Sequence, residues 1–256
     1  MVAEPFKFAG VNGQMLDGRI ELAHGKLRGT ALFAHCFTCG KQSLAATRIA
    51  KALAADGWSV LRFDFTGLGD SDGDFGNSGF NGNVEDLVAA TKALELTHQA
   101  PALLVGHSLG GAAVIAAADH NASATAVATI GAPFNVEHLL ERLDQDGLAR
   151  VAKSGAAPVS INGREFCLTN DFIAQVHHQP QGERLAKLDR ALLVMHAPSD
   201  RIVGLDNAKS IFDAAKHPKS FVALDGADHL LTAPGSADYA AGIIAAWASR
   251  YAMVEQ

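Results

Sequence analysis

The sequence predicts an α/β fold with a mostly parallel central sheet, and three observations predict it. Short apolar runs alternate with amphipathic stretches from about residue 30 onward, as βαβ units do. Ahead of them, Phe6 to Val11 and Met15 to Leu22 flank the turn pair Asn12-Gly13 and read as an antiparallel hairpin at the sheet edge. The chain of 256 residues suits one large domain, residues 1–256, with a well-buried core, and is too short for two of ordinary size.

The elements follow in order. TALFAH (30–35) reads as a buried strand, Leu44 to Ala55 as a helix ended by Asp56-Gly57, and WSVLRFDF (58–65) as the next strand. RFDFTGLGDSDGDF (62–75) lacks phosphate-loop spacing and is acidic, so it is expected to be a turn-rich loop. In it Asp64 and Ser71 should bond backbone, and Asp70 or Asp72 should be exposed. Val84 to Thr97 carries a helical stripe, ALLVG (102–106) reads as a strand, Gly111 to Ala118 as a buried helix, and Ala124 to Ile130 as a strand. ALLVMH (191–196), SFVALD (220–225) and a helix from Tyr239 to Tyr251 complete the pattern, with helices on both faces of the sheet.

Between about residues 133 and 190 the cadence breaks. VEHLLERLDQDGLARVAK reads as a charged helical stretch, and PVSINGREFCL as a hairpin with a type I′ turn at Asn162-Gly163, between Val159-Ser160-Ile161 and Arg164 to Leu168. An insertion of this size in an α/β sheet is expected to be a small lid or cap over a cleft; the alternative is a surface excursion without function.

Composition excludes several classes. Lys and Arg number 21 against 27 Asp and Glu, a net charge of −6, with no basic stripe of the kind nucleic acid requires. No apolar run approaches the roughly 20 residues that span a bilayer, and MVAEPFKFAG matches neither a signal nor a transit peptide, so a soluble chain with no membrane association is expected. Three cysteines, an odd number, argue against a disulfide framework and fit a reducing compartment, the cytoplasm. Cys36 and Cys39 have Cys-x-x-Cys spacing, but zinc needs about four ligands and a redox pair a thioredoxin-like setting. They are expected to be buried small hydrophobes, with no metal and no cofactor.

The chemistry concentrates at VGHSLGG (105–111), where Ser108 stands between a strand and a helix. Gly106 and Gly110 give room for a strained nucleophile turn, and the Leu109 N–H at the helix start is free to face an oxyanion. A serine hydroxyl needs a base, itself oriented by a carboxylate. His229 in LDGADHLLT lies just beyond the last strand and is the candidate base, while His120, His138, His177, His178 and His217 read as exposed or structural. Asp200 in MHAPSDRIV follows ALLVMH at the same sheet edge and is the candidate acid. Asp206 reads as a helix cap, Asp228 as too close to His229 to converge on it, and Asp225 as a second choice. The other oxyanion donor is expected from AHCFTCGK, at the Phe37 N–H, with His35 a structural loop histidine and Gly40 giving the turn room.

Nearly the whole chain resembles the α/β-hydrolase fold serine hydrolases. More narrowly, HCFTCGK, RFDFTGLGDSDGDF, NVEDLVAA, GHSLGGAA, TIGAPF and HPKSFVALDGADHLL resemble the hydrolase half of bacterial proteins in which this domain is fused to an OsmC-like domain. That second module is not expected here, since the chain stops at AMVEQ after its last helix. The resemblance implies acyl transfer in two steps through a serine ester, usually to water, with Ser108, Asp200 and His229 as triad and Phe37 and Leu109 as backbone oxyanion donors. Many relatives have His-Gly where this chain has His35-Cys36, so Cys36 is expected to face the acyl pocket and narrow it. With Phe134, Phe172 and Leu230 as further pocket residues, the expected substrate is a small-molecule ester with a small acyl group. An acyltransferase or thioesterase working through the same acyl-enzyme is the alternative. A noncatalytic auxiliary module is a third reading, against which the intact triad argues, and dehalogenase or epoxide hydrolase chemistry is set aside because serine holds the nucleophile's place.

Overall fold

Buried parallel strands need apolar side chains on both faces, and the runs read above supply them. The computed structural model describes residues 3–161 and 163–251. Its strands are β1 (Glu4–Ala9), β2 (Met15–Glu21), β3 (Gly29–Ala34), β4 (Trp58–Phe63), β5 (Pro101–His107), β6 (Ala126–Ile130), β7 (Ala156–Ile161), β8 (Arg164–Thr169), β9 (Ala191–His196) and β10 (Lys219–Ala223). Eight of them form one sheet in the order β1-β2-β4-β3-β5-β6-β9-β10, with β2 antiparallel to both its neighbours, β1 and β4, and the remaining pairs parallel. This is the predicted mostly parallel sheet with its N-terminal hairpin.

Alternate residues of the central strands feed two cores. Ala31, Phe33, Leu103, Val105, Leu193 and Met195 face one side, Leu32, Leu104, Val127, Leu192 and Val194 the other. The helices are α1 (Leu44–Ala55), α2 (Phe75–Thr97), α3 (Leu109–Ala117), α4 (Gln145–Ser154), α5 (Asn170–His177), α6 (Gln181–Lys187), α7 (Leu205–Ala214) and α8 (Ser236–Ala248). α1 and α8 cover the first core, α2 and α3 the second. α1 has the predicted bounds because Ser43 accepts the Ala46 N–H at one end and Asp56-Gly57 stops it at the other.

α2 begins at Phe75, well before the expected Val84. Asp74 caps it by accepting the Gly76 N–H at 2.9 Å, and it kinks at Gly79, where φ is 59°. The glycines that hide this turn from a propensity reading permit close packing. A Cβ on Gly76 would lie 1.7 Å from the Cys167 carbonyl oxygen, and one on Gly79 would lie 2.3 Å from Gln175 Oε1. The segment between β6 and β9 is therefore seated on α2 at main-chain distance. Its charged stretch is not one helix: a 3-10 helix, Val136–Arg142, breaks at Leu143-Asp144 before α4 begins. β7 and β8 pair as the predicted hairpin, and Gly163 has φ 77°, while Asn162 of the expected turn lies outside the described residues.

In the 62–75 loop, Asp64 accepts the N–H groups of Lys41 at 2.6 Å and Asp70 at 3.0 Å, and Ser71 Oγ donates to the Asp64 carbonyl at 2.6 Å. The loop also takes in a buried cation. The Lys41 side chain, 1% exposed, meets Asp17 at 2.9 Å, Asp64 at 2.5 Å and Asp70 at 2.7 Å.

Candidate active site

Parallel strands deliver their carboxyl ends to one edge of the sheet, and there the loops after β3, β5, β9 and β10 converge. Ser108 sits between β5 and α3 with φ 55° and ψ −124°, a region that costs a non-glycine residue about 1–3 kcal/mol. The turn is possible because its flanks lack Cβ atoms: one on Gly106 would lie 2.3 Å from the Gly110 carbonyl oxygen, and one on Gly110 would lie 2.4 Å from that of Ala34.

The predicted serine, acid and histidine meet. His229 Nδ1 donates to Asp200 Oδ2 at 2.7 Å, which leaves Nε2 bare to accept the Ser108 hydroxyl at 3.0 Å. Asp200 Oδ1 accepts the N–H groups of Ile202 at 2.8 Å and Val203 at 2.9 Å. Burial alone would raise the Asp200 carboxyl, but the His229 hydrogen bond and these N–H groups outweigh it and hold the group below its ordinary range. An ionised acid keeps the proton of His229 on Nδ1 and so fixes the tautomer that can act on the serine.

The rivals lie elsewhere. Asp228 closes its own turn through Leu230 and Thr232, and Asp206 falls in the first turn of α7, where Gly204 takes the cap position expected of it. Among the described residues no hydrogen bond occupies the N–H of Phe37 or Leu109.

A cavity of about 380 Å³ opens over Ser108 and His229. Cys36, Phe37, Leu109 and Leu230 line it as expected. Phe134 and Phe172 do not. Phe172 is 2% exposed and packs with Phe37 and Phe75 at ring distances of 6.4 and 5.6 Å, and Phe134 lies against Gly182. Further wall comes from His138, Leu139 and Arg142 of the 3-10 helix and Leu143 just after it, from Ser160 and Ile161 of β7, and from Ile202 and Val203. Sequence reasoning missed these because nothing local ties the VEHLLER run to a loop some sixty positions away. The contact exists only in the fold, where His138 Nε2 meets the Ile202 carbonyl at 3.3 Å.

The cysteine expectation is corrected. Cys36 and Cys39 are not separate buried thiols but a disulfide, Cα–Cα 5.3 Å, closed by a turn in which the Cys39 N–H donates to the Cys36 carbonyl at 3.0 Å. The positive φ in this loop, 54°, falls on Thr38. Among the described residues Cys167 is the free thiol, and no group of three His, Cys, Asp or Glu side chains is placed to hold a metal. No described helix is long and apolar enough to cross a membrane.

Comparison with known proteins places the fold and the family. The esterase domain of a protein from Rhodothermus marinus is 40% identical, with 98% of this chain and 100% of that one covered and a TM-score of 0.80. Est1E from Butyrivibrio proteoclasticus, solved with ferulic acid bound, shares the fold at 16% identity, 96% and 98% coverage and a TM-score of 0.81. XC6422 from Xanthomonas campestris, described as an α/β serine hydrolase without lid, shares it at 18% identity, 99% and 97% coverage and a TM-score of 0.69. A search of curated proteins returns no match. Residues 25–181 match the family described as Hydrolase_4, serine aminopeptidase, S33. With this match over more than half its length, the chain belongs to the Hydrolase_4 (S33) family and has the α/β-hydrolase fold.

Proposed function

We propose that this hydrolase is a serine esterase that cleaves small-molecule carboxylic esters of small acyl groups through an acyl-enzyme on Ser108. The observation that carries it is the hydrogen-bonded series Ser108, His229, Asp200 at 3.0 and 2.7 Å, beneath a cavity bordered by two unoccupied N–H groups. In this mechanism Ser108 Oγ attacks the ester carbonyl as its proton passes to His229 Nε2. The Phe37 and Leu109 N–H groups receive the oxyanion, and the proton then leaves with the alcohol. Water, deprotonated by His229, repeats the sequence and frees the acid.

The family description names an aminopeptidase, but the cavity wall holds no Asp or Glu to receive an α-ammonium group and does hold Arg142. That disfavours a cationic α-amino substrate. The cavity volume falls within the ~300–1,000 Å³ of small-molecule sites, and its wall is mostly apolar. We read residues 133–190 as a cap, since their 3-10 helix and β7 form one side of this cavity.

The test is hydrolysis of p-nitrophenyl esters of increasing chain length, with Ser108→Ala as control. Turnover of short esters by the wild type, with a folded and inactive variant, is the expected result. A wild type no more active than Ser108→Ala overturns the reading. Adding a short alcohol separates hydrolysis from acyl transfer, because a transferase makes a new ester in proportion to the alcohol.

A further inference from the structure

Three buried histidines hold corresponding places in the sheet. His35 follows β3, His107 ends β5 and His196 ends β9, and none is more than 1% exposed. Each gives a ring N–H to a main-chain carbonyl of a loop that builds the site. His35 Nδ1 donates to Cys36 O at 2.8 Å, in the loop of Phe37. His196 Nε2 donates to Val203 O at 2.8 Å, in the loop whose N–H groups hold Asp200. His107 Nε2 donates to His229 O at 2.7 Å, across 122 positions of sequence. A carbonyl oxygen only accepts, so the tautomer of each ring is fixed.

His107 makes the contact with most consequence, because its own main chain continues into Ser108. We propose that His107 is a positioning residue that fixes the main chain of His229 through its Nε2–H, and with it the approach of the His229 imidazole to the Ser108 hydroxyl. This rests on the serine hydrolase reading above. Nucleophile turn and base loop become one rigid unit, so the 3.0 Å contact between their side chains does not depend on either loop alone. The charged or titratable groups that face His107 are His229, Asp200 and His35. Burial, reinforced by His229, pulls His107 down to about 4, so the ring stays neutral and does not compete for the proton His229 must take. A leucine would fill much of the same volume but could not hold the carbonyl.

The experiment compares wild type, His107→Gln and His107→Leu, each titrated with a p-nitrophenyl phosphonate so that rates are per reactive serine. Gln carries an N–H near the reach of Nε2, and Leu carries none. We expect kcat of the Leu variant to fall about 10- to 100-fold with KM little changed, and Gln to recover most of the loss at a similar melting temperature. A Leu variant with wild-type kcat per titrated serine, or a Gln variant no better than Leu at equal stability, overturns the proposal. Should neither variant fold, histidine ¹⁵N spectra of the wild type decide. His107 should be the neutral Nε2–H tautomer from about pH 5.5 to 9, and a titrating ring or an Nδ1–H tautomer overturns the assignment. A wild type no more active than Ser108→Ala removes the functional reading instead, while the spectra still report whether the hydrogen bond exists.

Discussion

Reducing the Cys36–Cys39 bond with a dithiol perturbs the site without changing a residue. The cross-link closes a loop of four residues, Cys36 to Cys39, which in the chain-entropy account stabilises the closed turn by about 2 kcal/mol. Inside the ring Thr38 holds φ 54°, which costs a residue with a Cβ about 1–2 kcal/mol. The two quantities are comparable, so the cross-link offsets the strain and keeps the adjacent Phe37 N–H in place. About 2 kcal/mol corresponds to roughly 30-fold in a rate or population. The expected result is a fall in kcat/KM of that order for a short ester, with recovery on reoxidation and a matching loss in the Cys36→Ser/Cys39→Ser double variant. Mass measurement of alkylated thiols establishes that reduction is complete. Unchanged kcat/KM in the fully reduced enzyme would refute the reasoning, since the turn would then hold its shape from hydrogen bonds alone.

Burial lifts the Asp86 carboxyl from 3.8 to about 6, although it accepts the N–H and hydroxyl of Thr66. The unfolded chain therefore ionises first as pH rises from about 4 to 6, and the folded state loses about 3 kcal/mol across that window. Asp86→Asn should match wild type near pH 4 and exceed its stability near pH 8 by up to that amount in urea unfolding; a less stable variant at pH 8 would mean that the Thr66 donors win. Lys41→Met should destabilise by about 3 kcal/mol, because it leaves Asp64, 3% exposed, without its cation. Equal urea midpoints would show the cluster to be neutral in stability. Leu139→Ala with Leu143→Ala enlarges the cavity on the cap side and should move the acyl-chain optimum to longer esters. An unmoved optimum places the acyl group against another wall.

The central strands were legible because burial on both faces leaves continuous apolar runs such as TALFAH, ALLVG and ALLVMH. Ser108, Asp200 and His229 were legible because each stands just past the carboxyl end of such a run, and a parallel sheet brings those ends together. Other features depend on contacts between distant segments. The first turns of α2 are masked by Gly76, Gly79 and Gly82; β8 packs against Gly76 and α5 against Gly79, the non-helical residue at the kink. Lys41 draws acids from positions 17, 64 and 70, a grouping that no local period reveals. The disulfide encloses a left-handed threonine, which composition does not announce.

The missing side chains of Gly76 and Gly79 have a consequence for how the 133–190 segment is held. With the Cys167 carbonyl and Gln175 seated where two Cβ atoms would stand, the β8–α5 side of the 133–190 segment is fastened to the body of the molecule at both points. A flap hinged as a whole would have to break those contacts. The Val136–Arg142 helix lies outside those two points and meets the Arg201–Ile202 loop through Arg142 and His138. The Cys36–Phe37 loop and the 3-10 helix both border the cavity over Ser108. Substitutions in the 3-10 helix therefore reshape the cavity wall without touching the β8–α5 attachment, whereas substitutions in the Cys36–Phe37 loop alter the main chain that borders Ser108.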